Sequence, residues 1–505
     1  MVRDAAAPAE PGRPAASLRS DHDFAGVTKR LPPLFPVYSM KTTKRRDFIK
    51  TGAIGTAGIT IGAMGFSAKS YAAISGANER INLAVIGIRN QGTVHLNSWC
   101  GLKDSHNVQV TALCDTDEQL FDAGVKLVTQ KTGVTPTTGW DMRAIFENKD
   151  IHAVSIVTPN HWHALATVWA CQAGKHVYVE KPASHNIWEG RKMIEAARKY
   201  KRRMQVGLNN RSALNVREAM AFLHEGGIGE LYMARALVFK ARDSYGQAKD
   251  GQPPAKFHYN HWLGPAPDRP YNEKRSHYNW HWYWDTGNGD TGNTGPHQLD
   301  IARWGMSKDE HPVSVYSAGG LYGFRQEDGP PTPGVRVYGS VETYGHDKTA
   351  QETPNTQTAL FKYRDGKIIE LATRGRYTNH EGSRGQEVGN VFYGSDGWLE
   401  ISGNTWKAFR KRSKESFAGS KEGEARGNHW ANFIDALRSG KDETLHSDIH
   451  EGHLSTSLCH LANISYRVDR SLKFMPDYER FANDSEADAM LTRVYRQPYT
   501  VPETV

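Results

Sequence analysis

Two glycines bracket a tight turn that follows an apolar strand and precedes a helix-like stretch. In dinucleotide-binding proteins such a turn lets the backbone approach a pyrophosphate at a helix N-terminus. Arg89 stands where the pattern G-x-G-x-x-G has its second glycine, so its guanidinium must point away or lie over the phosphates. The turn predicts cofactor contacts from Gly87, Ile88, Arg89, Asn90, Gln91 and Gly92.

A carboxylate follows the second predicted strand. Asp115 comes 23 residues after Gly92, where an acidic side chain accepts hydrogen bonds from ribose hydroxyls and repels a 2′-phosphate. The position therefore favours NAD as the cofactor over NADP. The alternative is a glycine turn and a surface aspartate in a domain that binds no nucleotide.

Two further motifs follow the next predicted strands. They are Thr158-Pro159-Asn160-His161-Trp162-His163 and Glu180-Lys181-Pro182. Ligands of parallel sheets bind outside the carboxyl ends of the strands, so both motifs fall on the binding edge. A lysine beside a cationic nicotinamide is disfavoured in its charged form and can exchange a proton with a substrate hydroxyl. We expect cofactor contacts from Thr158, Pro159, Asn160, His163, Glu180 and Lys181. In isolation, a Glu-Lys pair would usually be solvated.

Together these motifs resemble the glucose–fructose oxidoreductase/inositol dehydrogenase/rhizopine-catabolism (Gfo/Idh/MocA) family over about residues 80–475. The resemblance implies that Lys181 is catalytic. It also places His297 and Asp300 on a family motif within residues 289–300, but Asn293 stands where the family has an aspartate beside the histidine. Three alternatives stay open. Asp290 replaces that aspartate, Asn293 only positions the substrate, or proton transfer depends on His297 and Lys181.

An aromatic stretch over residues 277–285 offers faces that stack on sugar C–H groups and polar edges that bind hydroxyls. An aromatic packing loop is the alternative. We expect the substrate-binding residues to be Asn209, Arg211, Trp280, His281, Trp282 and Asp300.

These motifs must be positioned by a doubly wound α/β domain. Apolar runs separated by helix-length segments predict parallel strands at 81–86, 108–114, 153–157, 176–179 and 204–207. After residue 208 alternating strands, such as 231–239 and a hairpin at the Asp365-Gly366 turn, predict an α+β domain with a mostly antiparallel open sheet. We expect a Rossmann domain at 78–207, a substrate and oligomerisation domain at 208–475, and a tail at 476–505.

The N-terminal segment predicts export. Lys44-Arg45-Arg46-Asp47-Phe48 resembles a twin-arginine signal, and the weakly apolar stretch after it is too short to span a membrane. We expect a cleaved signal at 40–73, a disordered or mistakenly included extension at 1–39, and a periplasmic or extracellular protein without a stable membrane anchor. The first 73 residues hold 11 basic and 5 acidic side chains. The remainder holds 52 and 50, which argues against a nucleic-acid partner.

Cysteines and histidines give no metal pattern. The four cysteines lack C-x-x-C spacing, so we expect free buried thiols. His446, His450, His453 and His460 cluster along the chain, but no cysteine or second set of carboxylates completes a ligand group. Gly452 also weakens a helix at that point. We expect no metal site.

The sequence therefore predicts an NAD(P)-dependent oxidoreductase that transfers hydride to or from a sugar, glycoside or polyol with a tightly bound cofactor. One alternative is an NAD-dependent glycoside hydrolase that works by transient oxidation and elimination. Another is a non-catalytic sugar-binding protein of the same fold. The resemblance also implies a homodimer or homotetramer.

Overall fold

The computed structural model describes residues 79–323, 349–376, 388–420 and 427–505. All of them belong to the compact unit Phe66–Val505. The expected extension at 1–39 and the expected signal peptide at 40–73 lie outside the described residues.

The first sheet is built from the apolar runs, because strands covered on both faces bury nearly every side chain. Its strands are β1 (Ile81–Ile86), β2 (Val108–Cys114), β3 (Thr137–Gly139), β4 (Ala153–Ile156), β5 (His176–Val179) and β6 (Met204–Val206). All pair in parallel, in the order β3-β2-β1-β4-β5-β6. The predicted parallel sheet is confirmed. β3 has no counterpart among the predicted strands, because its two threonines are exposed and give no apolar signal.

Helices cover both faces of this sheet. They are α1 (Gln91–Gly101), α2 (Lys103–His106), α3 (Phe121–Thr132), α4 (Met142–Glu147), α5 (Asn160–Gln172) and α6 (Ile187–Lys199). Alternate residues of one strand point to opposite faces. Val85 accordingly packs with Trp99 of α1 on one side, and Ile86 packs with Leu165 of α5 on the other.

The second sheet has ten strands in the order β14-β13-β12-β11-β7-β10-β9-β8-β15-β16. They are β7 (Leu231–Phe239), β8 (Ser314–Gly320), β9 (Thr356–Lys362), β10 (Ile368–Arg374), β11 (Val388–Gly394), β12 (Gly397–Ser402), β13 (Thr405–Arg410), β14 (Ser416–Gly419), β15 (Leu472–Met475) and β16 (Arg480–Phe481). Strands β7 and β10 pair in parallel, and the other pairs are antiparallel. The predicted fold class, a parallel sheet followed by a mostly antiparallel one, is confirmed.

The second half adds α7 (Leu214–His224), α8 (Tyr259–Leu263), α9 (Gly289–Asn293), α10 (Gly295–Gly305), α11 (His429–Ser439), α12 (Ile449–Val468) and α13 (Ser485–Ala489). Helices α10 and α12 pack against the second sheet and against each other. All four cysteines are buried and free, as predicted. Within the described residues, no helix combines the length and apolarity needed to cross a membrane.

Gly452 lies inside the 20-residue helix α12, which corrects the expectation that this glycine weakens a helix here. A Cβ at Gly452 would come 2.3 Å from the side chain of Val206. The glycine therefore permits the helix to pack directly on β6, and this packing outweighs a helix propensity deficit of about 1 kcal/mol.

Candidate active site

A cavity of about 310 Å³ opens at the carboxyl ends of β1, β2, β4 and β5. The opposite wall comes from residues 257–281, which contribute several aromatic side chains. The predicted residues that line the cavity are Gly87, Arg89, Asn90, Gln91, Asp115, Thr158, Pro159, Asn160, Glu180, Lys181, Trp280, His281 and Asn293. One cavity therefore collects most of the expected cofactor contacts together with the expected lysine.

The glycine turn is shaped by close backbone approach. Gly87 has a φ of +86°, and a Cβ there would come 2.6 Å from the carbonyl oxygen of Val157. A Cβ on Gly92 would come 2.1 Å from the carbonyl oxygen of Gly87. Both positions thus require glycine. Arg89 is exposed at the rim of the cavity, whereas Ile88 is buried beneath the turn.

Asp115 is anchored by the same turn. Its Oδ2 accepts a hydrogen bond from the backbone N–H of Ile88 at 2.9 Å, and its Oδ1 accepts one from Asp117 at 3.0 Å. Burial raises the pKa of Asp115 to about 6, although the two backbone donors oppose that rise. The carboxylate is therefore fixed in orientation while it still lines the cavity.

Glu180 is held by a histidine that the sequence motifs did not indicate. His95 is fully buried in α1, and its Nε2 lies 2.8 Å from Oε1 of Glu180. Its Nδ1 lies 2.8 Å from the hydroxyl of Ser155. Burial raises the pKa of Glu180, but the hydrogen bond and charge of His95, with Lys181, bring the pKa down to about 2. His95 follows Gly92 by three residues and so lies about one helical turn further along the same helix. That spacing is the signal by which the sequence could have indicated His95.

Lys181 reaches across to the second half of the chain. Its Nζ donates to the backbone oxygen of Asn293 at 2.7 Å and to Oδ1 of the same residue at 3.2 Å. Burial lowers the pKa of Lys181, Glu180 raises it, and the nearby cations Lys240 and Arg242 lower it further. Asn293 therefore positions Lys181. The alternative in which Asn293 positions the substrate stays a prediction.

His297 lies in the first turn of α10, the helix that follows Asn293, but it does not line the cavity. Burial lowers the pKa of His297 to about 4, and the positive charge of Lys181 contributes to that lowering. At neutral pH the imidazole is therefore uncharged. Among the described residues, its ring forms no hydrogen bond or ion pair. A neutral imidazole without a partner can accept a proton.

Asp290 forms an ion pair with Arg242. Its Oδ1 accepts from Nε of Arg242 at 2.8 Å, and Nε1 of Trp282 lies 3.4 Å from its Oδ2. The guanidinium of Arg242 also lies over the Trp282 ring at 4.9 Å. This corrects the alternative in which Asp290 replaces the family's aspartate, because its carboxylate neutralises Arg242. It also places Trp282 in a packing role, since its side chain is buried outside the cavity.

The other expected substrate residues divide into two groups. Trp280 and His281 stack at 3.6 Å between ring centroids and line the cavity. Arg211 and Asp300 instead form a buried bidentate ion pair with contacts of 2.8 to 3.0 Å. Each side chain serves as the counter-ion that the other needs when it is buried. This corrects their assignment as substrate-binding residues.

That ion pair is part of a larger network outside the cavity. Ser455 donates to Asp300 at 2.7 Å, and Glu451 accepts from Arg211 at 2.8 Å. Asn209 likewise lies outside the cavity lining, where its Oδ1 accepts a hydrogen bond from the Tyr178 hydroxyl at 2.9 Å. The network joins the turn after β6 to helices α10 and α12.

The Thr-Pro-Asn motif connects the two motif loops. His163 lies outside the cavity, with its ring nitrogens 2.7 Å from the carbonyl oxygen of Pro182 and 2.8 Å from that of Thr158. It therefore ties the two loops together. Asn160 donates to Oδ1 of Asn288 at 3.1 Å. The hydroxyl of Thr158 is buried without a hydrogen-bond partner among the described residues.

The clustered histidines disperse in the structure. His453 joins His311 on one carboxylate oxygen of Glu479, at 2.7 and 2.9 Å, and the ligand atoms of all three lie within 4.8 Å of one another. The guanidinium of Arg191 also binds Glu479. A guanidinium on the same carboxylate opposes a cation there. His446, His450 and His460 are not members of this group.

Two family models match the chain. One, described as an oxidoreductase family with an NAD-binding Rossmann fold, matches residues 81–208. The other, described as the C-terminal alpha/beta domain of that family, matches residues 244–319 and 401–501. Together they cover more than half of the chain. The chain belongs to the Gfo/Idh/MocA oxidoreductase family.

This Gfo/Idh/MocA chain is similar to curated relatives named as glycosidases and to solved structures named as dehydrogenases or oxidoreductases. An alpha-N-acetylgalactosaminidase of Shewanella oneidensis is 26% identical over 214 residues, which cover 39% of this chain and 46% of that protein. The chain thus spans about half the length of the curated relatives that it matches. The WlbA dehydrogenase of Bordetella pertussis, solved with NADH and UDP-GlcNAcA, has a TM-score of 0.55 at 17% identity over 78% of this chain and 99% of that one. An aldose-aldose oxidoreductase of Caulobacter crescentus, solved with glycerol, has a TM-score of 0.56 at 16% identity, over 78% and 100%. At these identities the solved structures support the fold.

The cavity of this family member fits a dinucleotide. The two glycines permit a tight turn, since a Cβ on Gly87 or Gly92 would clash with the backbone, and the turn brings the backbone to the edge of the cavity. Asp115 presents a fixed carboxylate at the end of β2, and the unpartnered hydroxyl of Thr158 offers a further polar contact. These features match what an NAD-binding sheet edge requires.

Proposed function

We propose that this chain is an NAD-dependent oxidoreductase that acts on a sugar, glycoside or polyol by hydride transfer, with its cofactor held through turnover. The observation that carries the proposal is the position of Lys181. Its ammonium group lies in the cavity that the glycine turn also lines, next to Glu180 and held by Asn293. A proton-exchanging group and a nucleotide cradle in one cavity suit dehydrogenation of an alcohol.

The cofactor would be held by the glycine turn, Asp115 and Thr158, and it would supply the hydride acceptor and donor. We favour NAD over NADP because the Asp115 carboxylate would repel a 2′-phosphate. Asp115 already accepts two backbone hydrogen bonds, which hold the carboxylate in place.

Proton transfer is assigned to Lys181 or His297. Burial lowers the pKa of Lys181, which makes its neutral amine more accessible. Burial also lowers the pKa of His297 to about 4, so that its ring is neutral at pH 7. Lys181 lines the cavity and can accept the proton of a substrate hydroxyl while hydride leaves the adjacent carbon. His297 lies outside the cavity lining and is therefore the second candidate.

The names of the curated relatives favour a second candidate, glycoside cleavage without net oxidation. Loss of hydride and a proton from a ring carbinol would give a ketone that acidifies the neighbouring C–H. Loss of that proton would expel the aglycone, which leaves as an alcohol. Water would then add to the double bond, and hydride and a proton would return to the ketone. The relatives named as glycosyl hydrolases are 26% identical or less over about two fifths of this chain.

Two expectations remain proposals on other grounds. We propose export by the twin-arginine route from the sequence at 44–50 alone, so that the cofactor is bound before export. Replacing Arg45 and Arg46 by lysine should then retain the protein inside the cell in a fractionation experiment.

We also propose a homo-oligomer, because Tyr316 and its cross-strand partner Leu360 are exposed on the open face of the second sheet. Light scattering should give a dimer or tetramer.

The decisive experiment is mass spectrometry of gently denatured protein, followed by incubation with free sugars and glycosides. We expect one NAD(H) per chain. A ketone product with growth of the reduced-nicotinamide band identifies a dehydrogenase, and released aglycone without that band identifies the hydrolase.

Lys181→Ala should abolish turnover and leave the cofactor bound, whereas Lys407→Ala, an exposed lysine on β13, should change neither. Absence of bound NAD, together with no binding of added NAD, would overturn the proposal in favour of a non-catalytic sugar-binding protein.

A further inference from the structure

A second cavity, of about 280 Å³, lies apart from the first. Its walls come from the C-terminal part of α12, from the loop before α9, and from residues 489–494. Asn288 stands between the two cavities. It accepts a hydrogen bond from Asn160, which lines the first cavity, and donates to the carbonyl oxygen of His185, which lines the second.

Three residues that line the second cavity carry polar atoms that the protein leaves unpartnered. Nε of Arg467, Nε1 of Trp284 and Nε2 of His185 are all buried and have no hydrogen-bond partner among the described residues. The first two can only donate. The His185 side chain is itself 9% exposed. Buried donors without partners are uncommon in folded proteins and call for a bound group that accepts hydrogen bonds.

The charges of the cavity agree with that requirement. The guanidinium of Arg467 lies over the Trp284 ring at 5.1 Å, and no carboxylate of the described residues forms an ion pair with it. The neighbouring carboxylate, Asp285, is already bound by Arg269 at 2.5 Å. Arg493 lies 3.4 Å from Glu189. Burial lowers the pKa of Arg467, although the negative charges of Asp285 and Glu352 oppose that lowering.

We propose that this second cavity binds the oxyanion of a small molecule, a carboxylate or a phosphate, through Arg467 and Trp284. A planar guanidinium pairs with such a group by two parallel hydrogen bonds, and the indole N–H supplies a third donor. The cavity is large enough for a monosaccharide-sized acid or ester. The hydrogen bonds of Asn288 then connect occupancy of this cavity to Asn160 in the first one.

The test is isothermal titration of the full chain with acetate, glucuronate, inorganic phosphate and a sugar phosphate, with chloride at equal ionic strength as the reference. We expect saturable binding of one oxyanion per chain, and the stronger of the carboxylate and phosphate arms identifies the source. Arg467→Met should weaken that binding at least about tenfold, the loss of a charge-assisted contact. Trp284→Phe, which keeps the ring and removes the donor, should weaken it by a smaller factor.

Two control variants separate this cavity from other anion sites. Arg410→Met removes a guanidinium that also stacks on an aromatic ring, Phe417 at 4.3 Å, but lies outside the cavity. Arg89→Met alters the glycine turn instead. Neither should change the affinity. Thermal unfolding checks that each variant folds, and if Arg467→Met does not fold, Trp284→Phe alone decides.

Equal affinity in wild type and Trp284→Phe, or binding that only Arg89→Met weakens, would overturn the proposal. So would the absence of saturable binding by any of the four probes.

Discussion

Replacement of Glu180 by glutamine should destabilise the protein in a pH-dependent way. The pKa of Glu180 is about 2 in the fold against an ordinary value of 4.5, mainly because His95 and Lys181 favour the carboxylate over the opposing effect of burial. At 1.36 kcal/mol per pH unit, the ionised side chain contributes about 3 kcal/mol to the free energy of unfolding. Its pKa is depressed in the folded state, so this contribution is complete above pH 4.5 and is lost as the pH falls toward 2.

Urea unfolding monitored by tryptophan fluorescence should therefore show a loss of about 3 kcal/mol for Glu180→Gln at pH 7, shrinking to about 1.5 kcal/mol at pH 3. Glu486→Gln is the matched control, because Glu486 pairs with Arg470 at 2.8 Å and both side chains are exposed. An exposed pair of this kind should contribute no more than about 0.5 kcal/mol. An equal loss at both pH values, or no loss at pH 7, would refute the account of Glu180.

Three further substitutions probe the site. Gly92→Ala should abolish NAD binding measured by titration, because its Cβ would come 2.1 Å from the Gly87 oxygen, whereas Gly101→Ala, with nothing within 4 Å, should bind normally. Asn293→Asp puts a carboxylate about 3 Å from the Lys181 ammonium, so the pKa governing the pH–rate profile should move upward by about 1 unit or more; an unmoved profile would show that Lys181 does not control it. The pKa of His297 is about 4 in the fold against an ordinary value of 6.5, so the unfolded chain takes up a proton first as the pH falls. The wild type should therefore lose up to about 3 kcal/mol of unfolding free energy between pH 6.5 and pH 4, whereas His297→Gln should not show this loss. Parallel urea curves at pH 7 and pH 4.5 measure this difference, and an identical pH dependence in both proteins would contradict it.

Local sequence patterns predicted the elements whose signal is local. Apolar runs indicated five of the parallel strands, because strands covered on both faces need apolar residues throughout. The short edge strand β3 gave no such signal, since its threonines face solvent. Gly452 was misjudged for a different reason. Its effect depends on Val206, a residue far away in the chain.

The candidate site shows the same division. The glycine turn and Lys181 follow directly from strand ends, which the sequence locates. The partners of Asp290, Arg211 and Asp300 depend on which charges the fold brings together, and no spacing along the chain specifies those pairs. Arg211 is 89 residues from Asp300 in the chain, yet the two are bound as a bidentate pair. His95 faces Glu180 across 85 residues.

The way Asn293 holds Lys181 limits how a substrate can be engaged. A lysine ammonium has three N–H bonds, and two contacts of this one go to the oxygens of a single asparagine. One hydrogen is left, with a direction set by the other two. A polyol entering the cavity can offer several equivalent hydroxyls, but only one of them can meet that hydrogen at a time. Regiochemistry in this protein would then be decided by how the ring is tilted against Trp280 and His281, and it would change when those aromatic side chains are altered even if the lysine is left alone.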